Sequence, residues 1–309
     1  MAALRLDMPI GIAAGGRPAA ALEITPAGVI AAATAAPGQA PVYAAEGLAA
    51  FSVAPGLAEG NLTNAAAVSA AIRSAMEQVR PRVKAVTVVV PDSAVRVFVL
   101  DFDTLPSKIE ETLPVLRFRL RKSVPFDVEA AGISHQVLSE GSAKLETQWK
   151  VLAAVMPGPV LAEYEAAVRA AGYEPGVVMP SSLAMLAAID STEAVLAVNL
   201  SAQSLTTTIV SGNDILLYRT VELPADAYER QIEVQRSVAV AAAFYEDKLH
   251  LRPHRMLYSG VMPVKDFILM LDDAELAIHE LVERPETGVV SALGEHPVAA
   301  VTGALAGTN

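Results

Sequence analysis

The side chains in this chain that could do acid–base or metal chemistry are scattered rather than clustered. Its five histidines are His135, His250, His254, His279 and His296. His250 and His254 have the spacing that aligns two ligands on a helix face, but Pro253 breaks such a helix, so no metal site is expected. The adjacent acids Glu110-Glu111 and Asp272-Asp273 point in different directions on a helix and read as solvated faces. With no cysteine there is no thiolate nucleophile, disulfide or cysteine-ligated metal. The serines form no Gly-x-Ser-x-Gly elbow, and no Walker A loop is present. Two features remain. The glycine-rich stretch Gly11–Gly16 can bring backbone N–H groups close to a phosphate or simply turn a hairpin, the plainer reading. Arg117, Arg119, Arg121 and Lys122 form a cationic cluster whose guanidinium forks suit an acidic or extended partner segment. On a helix Arg117 and Arg121 share a face, and a solvated helix with weak surface ion pairs is the plainer alternative.

The elements that must position these residues follow from hydrophobic periodicity. Residues 19–34 are two short apolar runs around Pro26-Ala27-Gly28, a hairpin signal. Val68, Ala71, Ile72, Ala75, Met76 and Val79 have helical spacing, and Val86–Val90 suits a buried strand. Val95, Val97 and Val99 alternate with Arg96, Phe98 and Leu100. A helical pattern runs from Lys108 to Lys122, where Pro114 is expected to kink or split it, and ends in the corner Val124-Pro125-Phe126. Strands at 132–138 and 149–155 and a helix at 159–171, closed by Gly172, complete a strand–helix–strand–strand–helix unit. The second half shows strands at 194–200, 205–210 and 215–221, a helix at 225–248, a strand at 255–259 and a last helix at 297–306. Both halves open with apolar strands joined by small-residue turns, which predicts an α/β architecture interrupted by an α+β module.

The 309 residues suggest about two domains. Mean hydropathy is +0.40, but alanine accounts for much of it, and the longest apolar run, Val195–Val210, is interrupted by Asn199 and Gln203. Arg5 and Asp7 interrupt the N-terminus, so no signal peptide is expected and the chain reads as cytoplasmic, without direct membrane insertion. A net charge of −11 argues against nucleic-acid binding and against broad adhesion to anionic lipid.

Four stretches together resemble the type IV pilus assembly protein PilM family. Leu116–Glu129, a charged helix running into Pro125-Phe126, is similar to the exit of that family's inserted 1C (SHS2) subdomain. Val168-Arg169-Ala170-Ala171-Gly172-Tyr173-Glu174-Pro175 with Pro180-Ser181-Ser182-Leu183-Ala184 resembles the return into the first subdomain. Pro297–Ala306 is similar to the closing helix, and Gly11–Ile24 lies without gaps on the family's opening Gly-Leu-Asp-Ile-Gly pattern. The resemblance implies a duplicated actin-like (ribonuclease H-like) fold with an inserted α+β subdomain. Its first actin-like subdomain is expected at residues 1–91 and 173–192, the 1C/SHS2-like insert at 92–172, and the second actin-like half at 193–309.

Actin-fold ATPases hold nucleotide phosphates between two Asp-x-Gly hairpin turns, whose carboxylates organise Mg²⁺. In the gapless alignment Ala13 replaces the first aspartate and Ala20 a lysine, while Gly15 and Gly16 persist. A slipped alignment would offer Asp7 instead. At the second turn Asn199 replaces aspartate and Ser201 replaces glycine. The adenosine-binding Gly-Gly is reduced to Gly260-Val261. The expectation is therefore a pseudo-ATPase, not an enzyme, with no cofactor, although residual ATP binding through Gly15, Gly16 and Gly260 stays open. The resemblance further implies a scaffold on the cytoplasmic face of the inner membrane that binds the N-terminal cytoplasmic peptide of a PilN-like bitopic protein. Arg117, Arg121 and Phe126 are the candidate contacts, although a packed corner is the plainer reading of Phe126. A working Mg-ATPase, or a GspL-like cytoplasmic domain of a type II secretion system, are the alternatives.

Overall fold

The computed structural model describes residues 17–35, 39–106, 108–139, 148–191, 193–212, 214–272, 276–285, 288–289, 293–294 and 296–306. The chain begins with an antiparallel meander, β1 (Ala20–Thr25), β2 (Gly28–Ala33) and β3 (Val42–Gly47). Helix α1 (Ala65–Val79) crosses to β4 (Ala85–Val90), which pairs parallel to β1. Asn64 caps α1 by accepting the Ala67 N–H, and the expected stripe from Val68 to Val79 is buried.

A single 3₁₀ turn at Asp92–Ala94 leads into β5 (Arg96–Phe102), α2 (Ile109–Leu120), β6 (Gly132–Ser139) and β7 (Trp149–Met156). Then come α3 (Gly158–Ala170), β8 (Glu174–Pro180) and the short α4 (Ser181–Leu186). The second half contains β9 (Val195–Leu200), β10 (Ser204–Ser211), β11 (Asp214–Glu222), α5 (Ala227–Leu249), β12 (Arg255–Gly260), α6 (Val264–Leu271), β13 (Ala277–Glu280) and α7 (Ala299–Leu305).

The two large sheets have the same construction. Their strand orders are β3-β2-β1-β4-β8 and β11-β10-β9-β12-β13, each an antiparallel meander followed by two parallel strands. By this equivalence α1 matches α5, α3 matches α6, and α4 matches α7. The internal echo in the sequence is a true duplication of topology. Of the strands and α-helices, β3, β8, α4, α6 and β13 have no counterpart among the sequence expectations.

The third sheet, β5-β7-β6, is the inserted module. Along β7, Val151, Ala153 and Val155 face a separate core with Leu116 and Leu120 of α2, while Leu152, Ala154 and Met156 face the main core. This period-two partition makes the module a layer between α2 and the body. Pro114 lies inside α2, which stays one helix rather than splitting.

Two boundaries differ from the sequence expectation. Helix α3, expected inside the module, buries Val160, Tyr164, Ala167 and Val168 in the first half's core. It is the crossover helix between the parallel strands β4 and β8, so the insert closes near Met156. Helix α7, expected in the second half, packs on α4, β1, β2 and β4 of the first. A Cβ at Gly303 would collide with the Ala184 carbonyl, so glycine permits the close α4–α7 crossing. Tyr43 Oη and Thr302 Oγ1 lie 3.0 Å apart across the same contact.

Candidate functional site

The two meanders bring their first turns together at a cleft between the halves. In the first, Thr25 pairs with Gly28 around Pro26-Ala27. In the second, the Ser201 N–H donates to the Ser204 carbonyl (2.9 Å) around Ala202-Gln203. The hydroxyls of Thr25 and Ser201 then do the same thing. Gly28 N–H donates to Thr25 Oγ1 (3.1 Å), and Ser204 N–H donates to Ser201 Oγ (2.8 Å). Gln203 N–H also donates to Ser201 Oγ, at 3.2 Å. These ST-type turns satisfy the Gly28, Gln203 and Ser204 amides within the turns themselves.

Behind the turns lies a buried polar network that joins both halves. Its hub is Asp92, at the exit of β4. Asp92 Oδ1 accepts the Ser182 N–H (2.9 Å). Asp92 Oδ2 accepts from the Ser182 hydroxyl, from Thr206 Oγ1 (3.0 Å) and from Asn199 Nδ2 (3.3 Å). Asn199 Nδ2 also lies 3.1 Å from both Ser181 Oγ and Ser182 Oγ. Ser181 Oγ donates to Glu23 Oε1 at 2.7 Å, while Glu23 Oε2 is buried without a hydrogen-bond partner among the described residues. Thr206 Oγ1 is backed by Thr220 Oγ1 at 2.9 Å.

Electrostatics follow from burial. Burial pushes the Glu23 carboxyl up to about 7; the Ser181 hydroxyl pulls it down and the nearby Asp92 charge adds to the rise. Asp92 is also raised, its burial outweighing the donors from Ser182, Thr206 and Asn199. Tyr218 lies well above its ordinary range, first through burial and then through the Asp92 charge. At neutral pH the Glu23 proton is therefore shared between bound and free states.

The cavity between the turns has a volume of about 60 Å³. Glu23, Asp92, Ser181, Asn199, Ser259 and His296 contribute its polar lining. Sites for drug-sized ligands run to ~300–1,000 Å³. A space of this size holds a few water molecules. At the far wall, Gly260 sits against Tyr258, whose hydroxyl a Cβ at 260 would strike. Tyr258 stacks on Phe267 with centroids 4.2 Å apart and donates to the Met262 carbonyl at 3.0 Å. Gly260 thus has a packing role, since only glycine leaves room for the Tyr258 hydroxyl.

With this geometry in hand, comparison with solved structures decides the architecture. The chain superposes on the PilM–PilN type IV pilus biogenesis complex with a TM-score of 0.75, at 17% identity, over 96% of this chain and 100% of that one. The cytoplasmic domain of EpsL, an inner-membrane component of the Vibrio cholerae type II secretion system, gives 0.51 at 13% identity, covering 92% and 93% of the respective chains. A Bacteroides thetaiotaomicron protein of unknown function with an actin-like ATPase fold gives 0.51 at 8%, covering 93% and 94%. The fold is actin-like. No protein-family profile matches the chain, and no curated protein matches it by sequence. Among the described residues, no helix is long and apolar enough to cross a membrane.

The actin-like frame corrects the placement of the first turn. The hairpin at the first sheet's centre is Ala20–Ala33, so its turn is Pro26-Ala27 and Ala20 lies on the first strand, paired with Ala33. Ala20 is not on the second strand, where the lysine position falls. Ala13, Gly15 and Gly16 lie outside the described residues. Moving ten positions downstream, from Ala13 to Glu23, lays Leu22-Glu23-Ile24-Thr25 on the Leu-Asp-Ile-Gly pattern. Glu23 and Asn199 then hold equivalent places, as do Thr25 and Ser201. Asn199 and Ser201 line the cavity, and Gly260 ends β12.

The three partner candidates are occupied within the module. Arg117 donates to the carbonyls of Val128, Glu129 (3.0 Å) and Ala131 (3.3 Å), fastening the loop after α2. Arg121 pairs with Glu129 at 2.7 Å on the exposed surface. Phe126 packs against the module's core. Asp92, Ser181, Ser182 and Thr206 were not recognised as site residues. Asp92 could have been found from Val90-Pro91-Asp92, an acid at the carboxyl end of a buried strand, where α/β sheets place their sites.

Proposed function

We propose that this chain is a non-catalytic actin-fold scaffold of a pilus-type inner-membrane assembly, binding the N-terminal cytoplasmic peptide of a PilN-like membrane protein. The observation that carries the non-catalytic part is the cleft itself. Thr25 and Ser201 cap amides of their own turns, and the cavity of about 60 Å³ is small beside the ~300–1,000 Å³ of drug-sized sites, which favours a site that no longer takes a triphosphate. Asn199 supplies an amide where a second carboxylate would help hold Mg²⁺. Support for the pilus setting is the likeness to PilM in its complex with PilN, at a TM-score of 0.75 against 0.51 for the EpsL domain.

Peptide capture by such a scaffold relies on main-chain hydrogen bonds for affinity and shallow apolar pockets for register. Arg117 contributes by shaping the module's wall rather than by touching the peptide. Titration calorimetry with the N-terminal cytoplasmic peptide of a cognate PilN-like protein tests the reading. Saturable binding with no heat from Mg-ATP is the expected outcome. Tight Mg-dependent ATP binding with turnover would overturn it in favour of a working ATPase.

A further inference from the structure

We propose that the Asp92-centred network is a built-in clasp that holds the two halves closed over the cleft without any ligand, and that Asn199 is the residue that makes such closure work. The proposal rests on the reading of the nucleotide site as dismantled and adds to it the means of closure. In a duplicated fold, equivalent walls tend to carry equivalent groups. Two acidic walls facing each other in a low-dielectric cleft repel, and a bridging cation is then needed to bring them together. Here the walls differ in kind. The first half presents acceptors, the carboxylates of Asp92 and Glu23. The second presents neutral donors, Asn199 Nδ2 and Thr206 Oγ1, and both reach Asp92 Oδ2.

The remaining members reinforce the join. Ser181 and Ser182, at the start of α4, sit between the walls and touch Asn199 on one side and the two carboxylates on the other. Thr220 backs Thr206 from the neighbouring strand. The titratable groups around Asp92 are Glu23 from β1 and Tyr218 from β11, with His296 in the lining of the same cavity. None of these supplies a fixed positive charge to hold the walls together, so the neutral donors do. An aspartate at 199 would set a third carboxylate beside the other two and recreate the need for a cation.

The chain contains no cysteine, so a pair of spin labels can be placed cleanly. Exposed Glu77 on α1 and Asp247 on α5 lie on opposite halves and outside the network. Electron-spin distance measurements on the E77C/D247C chain are expected to give one narrow peak, unchanged by excess Mg-ATP. Asn199→Asp at pH 8 should lose that narrow peak, and Mg²⁺ alone should restore it. Thr206→Val should also broaden the peak, whereas Thr206→Ser, which keeps the hydroxyl, should not; this pair decides the matter if Asn199→Asp fails to fold. A narrow peak in folded Asn199→Asp and Thr206→Val alike would overturn the clasp and leave the dismantled-site reading untouched. A broad wild-type distribution indifferent to Mg-ATP would do the same. A wild-type peak that narrows only with Mg-ATP would overturn both.

Discussion

The two halves share a strand order and a hairpin geometry, yet they face the cleft with opposite chemistry. At equivalent positions the first half has Glu23 and the second has Asn199. Beyond them the first half adds Asp92, and the second adds Thr206. The turns stay alike, since Thr25 and Ser201 fold their hydroxyls back in the same way. Duplication thus preserves backbone shape, which the sheets dictate, while the side chains at the seam diverge until one wall accepts hydrogen bonds and the other donates them. Similar scaffolds need not keep similar chemistry.

The sharpest way to break this asymmetry is to remove its hub. Asp92→Ala strands four buried donor contacts and should cost about 3–5 kcal/mol of folding stability, read by chemical denaturation. Asp92→Asn keeps the shape and should cost less. Next comes the proton on Glu23. Its folded pKa of about 7 lies above the unfolded value, so the folded state binds the extra proton between them. Its contribution to stability is fully present below about pH 4.5 and is lost as pH rises through about 7, a fall of up to about 3 kcal/mol. Glu23→Gln should flatten that part of the profile, as followed by denaturation midpoints at pH 5 and pH 8.

Gly303→Ala tests the helix contact that backs the seam. The added methyl meets the Ala184 carbonyl, and a loss of about 1–3 kcal/mol is expected in thermal unfolding. The inserted module supplies the contrast. Arg117→Met frees three carbonyls near the surface and should cost about 1–2 kcal/mol, with increased hydrogen exchange at 124–131 and no change at the cleft. Arg121→Ala breaks one exposed ion pair and should cost less than about 1 kcal/mol.

Much of the frame was legible because it is written in periodicity. The stripe from Val68 to Val79, the β-branched run at 86–90 and the alternation around Val97 each predict one element, and each element forms. β3 escaped because Val-Tyr-Ala-Ala-Glu-Gly has neither a clear alternation nor a strong strand composition. The insert's end was misjudged because α3 follows β7 directly in sequence, and only the parallel pairing of β4 with β8 shows which layer it serves. The site suffered a different failure. Gly11–Gly16, which lies outside the described residues, carries glycines at the expected spacing, whereas the hairpin at the centre of the first sheet has Glu23 where Asp would match and Thr25 where Gly would, so identity matching passes it over. The pattern of residues 19–34, two apolar runs around Pro26-Ala27-Gly28, predicts this hairpin and locates its turn correctly. Asp92 and its hydroxyl donors carry no motif, because they meet only when two distant strands are brought side by side.

Helix α7 fills the core of the half that is synthesised first, though all the strands of the second half precede it in the sequence. The opening strands therefore wait, with their inner face incomplete, until residues 299–305 have left the ribosome. Such a nascent chain displays apolar surface while the second half is being made, the kind of transient exposure that favours aggregation. A ribosome stalled before that helix would leave a sticky fragment rather than a smaller working domain.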